Sequence, residues 1–157
     1  MHLAARSGRF VFVAQWILAV LLPVFFFLGR GLVGAELGWL TVFGIVYGFF
    51  VIVVLLAPPV MTLFDRTVRQ QKRTRWGYGF STIVLWVTVA LAALVVPDAG
   101  DGPPLDSALT VWTGGAVSQE SAGTIFAVLS VAIGLAYLVA FGFAVAGIVR
   151  WRSTGES

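Results

Sequence analysis

Four long stretches of this chain carry no charged side chain: Phe10 to Leu28, about Leu37 to Phe64, Gly79 to Val96, and about Gly123 to Val149. A bilayer core of about 30 Å needs roughly 20 consecutive apolar residues to cross it as a helix, and each stretch is close to that length or beyond it. Hydrocarbon offers backbone N–H and C=O groups no partner, so a spanning segment must be a helix or part of a closed barrel. Barrel strands alternate polar and apolar residues, and these stretches do not. The chain therefore reads as an all-α integral membrane protein of four transmembrane helices, a single domain over residues 1–157. The composition agrees, with 59% hydrophobic and 11% charged residues. Soluble domains carry about twice that share of charge.

The ten basic residues set the expected orientation, because cytoplasmic loops carry the excess of Lys and Arg. Arg6 and Arg9 precede the first span, Arg66, Arg69, Lys72, Arg73 and Arg75 separate the second from the third, and Arg150 and Arg152 follow the fourth. Arg30 alone falls on the other side. Both termini and the basic loop 65–78 are expected in the cytoplasm, with loop 97–122 outside and the protein in the cell (cytoplasmic) membrane. The apolar stretch of the first block exceeds the roughly 7 to 15 residues of a signal-peptide core, which favours its retention as a span. Nine of the ten basic residues are arginine, a bias expected of a GC-rich bacterial genome. Trp39, Trp76, Trp112 and Trp151 fall near span ends, where an indole keeps its body in lipid and its N–H in water.

Packing and breaks come next. Pro23 lies inside the first span and Pro58-Pro59 inside the second, each removing a backbone donor, so kinks are expected there. Gly44 and Gly48, and Ala136, Ala140 and Ala144 beside Gly134, Gly142 and Gly147, place small residues at four-residue spacing. Lipid solvates leucine as well as protein does, so such close-packing faces are the expected helix contacts, inside the bundle or to a partner. The uncharged polar residues at membrane depth single out Gln15, with Tyr47 and Tyr137 as its expected partners. Interhelical hydrogen bonding is the ordinary role of such groups.

Motifs that carry chemistry are few. Cysteine is absent, which excludes disulfides and thiolate chemistry, and the sole histidine, His2, lies at a chain end. Gly29-Arg30-Gly31-Leu32-Val33-Gly34 matches the letters of a dinucleotide fingerprint, but that motif works only between a strand and a helix. Asp98, Asp101 and Asp106 fit no calcium-loop spacing. The loop around them reads as irregular turn, with Asp106 capping a short helix over Ser107 to Trp112 and Ser118 with Glu120 starting the fourth span. The run from Asp65 to Arg75 holds five cations and one acid, so Arg66, Arg69, Lys72, Arg73 and Arg75 are expected against anionic headgroups or an acidic partner. Asp65 and Arg69, at i and i+4, suggest that the second helix continues into this loop. Without an aromatic platform or a basic recognition fold, nucleic acid is not an expected partner. No cofactor is expected and no metal site.

Ionisable groups at membrane depth are the usual mark of ion-driven transport, and none occurs in these spans. The expectation is a non-catalytic protein, an accessory subunit or a self-associating bundle whose partner is another membrane protein or itself. The alternative is a small oligomeric transporter or channel for a neutral or apolar solute.

Overall fold

The computed structural model describes the backbone of residues 2–154 and the side chains of residues 8–150. The side chains of His2, Arg6, Trp151 and Arg152 lie outside the described residues. Six α-helices follow one another: α1 (His2–Phe27), α2 (Trp39–Phe64), α3 (Arg66–Gln71), α4 (Trp76–Val95), α5 (Ala108–Trp112) and α6 (Gln119–Thr154), with a 3-10 turn at Gly29–Val33. Within the described residues α1, α2, α4 and α6 each hold a stretch long and apolar enough to cross a membrane.

The four spans form a ring in which α1 touches α2 and α4, and α6 touches α2 and α4. Along the two diagonals, α1 to α6 and α2 to α4, no Cα atoms of the described residues approach within 8 Å and only side chains meet, as Phe26 of α1 and Phe126 of α6 do at 6.3 Å between ring centroids, so the chain crosses the bundle between its second and third spans. Polar side chains decide which helix is innermost. Apolar ones are as comfortable in lipid as in the core, whereas hydroxyls and amides need partners. α4 carries Tyr78, Ser81, Thr82 and Thr88, and half of its apolar stretch is buried against 6% in α2 and α6. Its Leu85 and Val89 pack with Leu22 of α1 and Ala136 of α6. Nearer the N-terminus of the chain, Val11, Tyr78, Ala140 and Ala144 form a second cluster.

Gly44, Gly48, Gly147 and the three alanines of α6 are used inside the ring, whereas Gly134 and Gly142 are exposed. Ala136, Ala140 and Ala144 are all buried in these clusters. Gly44 lies so close to α1 that a Cβ there would come 2.3 Å from the Phe27 Cβ, and Gly48 is buried one turn on.

The prolines leave the helices continuous, as α1 runs through Pro23 and α2 through Pro58 and Pro59. The missing N–H of Pro58 orphans the Val54 carbonyl four residues earlier. Tyr137 supplies the absent donor, its hydroxyl reaching Val54 O at 3.0 Å from α6. One turn on, the Thr62 hydroxyl donates to Pro59 O at 2.7 Å.

Helix boundaries differ from the sequence reading in several places. α2 does not continue into the basic loop: Asp65 is extended and caps the separate α3, accepting from the N–H of Thr67 and Val68. α4 starts at Trp76 rather than Gly79, and α6 extends through Arg150 to Thr154, because helical hydrogen bonding has no need of apolar side chains beyond the bilayer. α5 is capped by Ser107, whose Oγ accepts from Thr110 N at 3.2 Å, and not by Asp106.

Candidate functional site

Three polar clusters stand out, at the two ends of the ring and in its middle. The first gathers around Arg30, the one basic residue on the acidic side. The 3-10 turn after α1 points its side chain inward, where it is fully buried. There it pairs with Asp98, just past the end of α4, and donates through Nη1 to the Val96 carbonyl at 3.3 Å. Its Nε has no hydrogen-bond partner. Asp98 also accepts from three backbone N–H groups: Gly38 at 2.7 Å, Leu40 at 2.9 Å and Ala99 at 2.8 Å. Two of those donors belong to the open first turn of α2, so Asp98 caps that helix from 58 residues away while neutralising Arg30. Burial pushes its carboxyl up, but the N–H groups of Leu40, Ala99 and Gly38, with the Arg30 guanidinium, together hold it below its usual value.

Loop 97–122 is therefore a fastener and not an idle connection. Asp98 and Leu105 form an antiparallel bridge. The Glu36 N–H donates to Asp106 O at 3.1 Å and the Asp106 N–H donates to the Glu36 carboxylate at 3.0 Å, and Trp112 donates to Val33 O at 2.7 Å. The three loop aspartates diverge: Asp98 turns to Arg30, Asp101 accepts from Trp39 Nε1 at 3.2 Å, and Asp106 accepts from Gln119. Among the described residues no three His, Cys, Asp or Glu side chains group as metal ligands would.

The second cluster closes the opposite end. Asp65, buried, pairs with Arg75 at 3.0 Å and not with Arg69. Its Oδ1 accepts from the α3 N–H groups of Thr67 and Val68, its Oδ2 takes the Arg75 guanidinium, and the Arg69 side chain is exposed. Gly147 of α6 allows this approach, since a Cβ there would meet Asp65 Oδ2 at 2.8 Å. Gly8 of α1 packs under Arg73, and its carbonyl accepts from the Thr74 N–H and hydroxyl. The start of α1, the basic loop and the far end of α6 thus share one end of the ring. Of the five loop cations, Arg66, Arg69, Lys72 and Arg75 are exposed and Arg73 is half-buried.

The third cluster is in the middle. Gln15 is buried and accepts from the Tyr78 hydroxyl at 2.8 Å, while its Nε2 donates to Phe12 O at 3.2 Å. The expected partners lie elsewhere: Tyr137 serves Val54, and Tyr47 is exposed beside Phe43. Tyr78 was missed because it falls three residues inside the true start of α4, in what the sequence reading took for loop. Gln15, Tyr78 and Thr82 line a cavity of about 20 Å³ together with Leu55, Pro58 and Pro59. The Thr82 hydroxyl, one turn beyond Tyr78, is buried without a hydrogen bond of proper geometry. Such a cavity has room for about one water molecule and for no larger solute.

Comparison with protein-family models, with curated proteins and with solved structures finds no match.

Proposed function

We propose that this chain is a non-catalytic membrane protein that works by lateral association, as an accessory subunit or with further copies of itself, through the outer face of α6. The observation that carries this reading is the position of Gly134 and Gly142. Both are exposed, and a Cβ added to either meets nothing within 4 Å, so no packing within the chain requires them. Each costs a helix about 1 kcal/mol relative to alanine. Ala127 and Ser130, exposed nearby, extend the small-residue surface that would let another helix approach closely. The alanine face of the same helix is already occupied, so association falls to this side.

The orientation we infer puts the Arg75 end of the ring and both termini in the cytoplasm, on the positive-inside rule. Reporter fusions at the C-terminus test it. The association itself is tested by single-molecule photobleaching in native membranes, together with mass determination after extraction in mild detergent. Oligomers, or a stoichiometric partner, should be lost when Gly134 and Gly142 are both changed to Leu. A wild-type chain that is monomeric and partnerless in its own membrane refutes the proposal.

The transporter alternative draws on the Gln15, Tyr78 and Thr82 cavity. Its small volume puts any solute path between subunits rather than through one ring. Flux above that of empty vesicles would revive it.

A further inference from the structure

The basic cluster divides into cations that are engaged and cations that are free. Asp65 holds Arg75, and Arg73 lies over Gly8. Arg9 and Lys72, from different elements, have no carboxylate within ion-pair range among the described residues. They face each other across an open groove of about 660 Å³ lined by Arg9, Phe12, Val13, Gln70, Gln71 and Lys72.

The groove is chemically two-sided. Its polar wall, two cations and two amides, stands where the apolar stretch of α1 begins at Gly8. Its apolar wall, Phe12 and Val13, lies about one turn deeper along the same helix. That order of groups along the membrane normal matches a phospholipid, with phosphate at the cations and an acyl chain along Phe12 and Val13. Lys72 adds a separate mark. It is the sole non-glycine residue with positive φ among the described residues, at +49°, in the position that ends α3. Glycine takes such helix-ending positions without strain, so an ammonium group is kept here at a conformational cost.

We infer that this groove binds one anionic phospholipid from the leaflet on the basic side, its phosphate held between Arg9 and Lys72. The site is more selective than general attraction of a basic loop to a charged surface, because Arg66 and Arg69 carry equal charge outside it.

The test titrates the intact chain in mild detergent with phosphatidylglycerol or phosphatidylcholine and counts bound lipids by native mass spectrometry. One phosphatidylglycerol per chain should bind at least about tenfold more tightly than phosphatidylcholine. Changing Arg9→Gln with Lys72→Gln should weaken it roughly 30-fold, whereas Arg66→Gln with Arg69→Gln should cost no more than about threefold. Lys72→Gly removes the ammonium while relaxing the backbone, so it separates lost binding from lost folding should the double variant unfold. Equal affinity for the two lipids, or equal losses in the two double variants, overturns the inference. So does displacement by soluble glycerol phosphate at the lipid's own concentration, which would make the groove a site for a free phosphate.

Discussion

Replacing Asp98 with Ala should be the most damaging single change to a polar residue in this molecule, and the reason can be put in numbers. It leaves the guanidinium of Arg30 fully buried, with one carbonyl for company. Breaking a buried pair by removing one partner costs about 3–5 kcal/mol. It also removes the acceptor for Gly38 N and Leu40 N at the start of α2, worth roughly 1 kcal/mol as a lost cap. Arg30→Met is expected to cost less, about 1–3 kcal/mol, because Asp98 keeps its three backbone donors. The double change Arg30→Met with Asp98→Ala removes both charges and should cost only about 1–2 kcal/mol, chiefly the cap, since loss of a whole buried pair carries little net cost. The assay is reversible unfolding by SDS titration in mixed micelles for all four proteins. The expected coupling is about 5 kcal/mol in favour of the double variant. Additive losses, or a cost below about 1 kcal/mol for Asp98→Ala, refute the buried pair as the reason.

Acidity should act on the same carboxyl. Its value is depressed in the folded state, so its stabilisation is complete above the ordinary 3.8 and is lost as pH falls through the lower folded value. Unfolding temperature should therefore drop below about pH 4, and less so in Asp98→Asn. Tyr137→Phe should cost about 1 kcal/mol by orphaning Val54 O, and nothing in a Pro58→Ala background, where the helix regains its own donor; the same SDS titration reads both. Tyr78→Phe leaves Gln15 Oε1 without its donor and should cost a similar amount, about 1 kcal/mol. Gly44→Ala forces a Cβ into Phe27 and should cost about 1–3 kcal/mol. Gly134→Ala, with open space around it, should raise stability by up to about 1 kcal/mol while weakening association.

The spans were legible because hydropathy is additive along the chain, and four uncharged stretches admit no other reading. Their ends were not. Trp76-Gly77-Tyr78 is helical but no more apolar than a loop, and Arg150 is helical although charged. The small residues at 136, 140 and 144 were readable as a packing face because spacing on one helix is local information, whereas the choice between an inside and an outside contact was not. The partner of Gln15 required knowing that α1 lies against α4. The Arg30–Asp98 pair spans 68 residues, which no local pattern reports. One signal pointed to it: a lone arginine on the side the positive-inside rule leaves acidic needs a neutralising acid nearby.

That same separation orders biosynthesis. The chain emerges N-terminus first, so α1 and α2 enter the bilayer before α4 has been made. For that interval Arg30 has no counter-ion and the opening turn of α2 has no carboxylate to receive its N–H groups. Both deficits end together when Asp98 arrives behind α4. A chain stopped before that residue is left with an unneutralised guanidinium at the membrane surface and a fraying second helix. The later half thus completes the charge balance and the helix start of the earlier one.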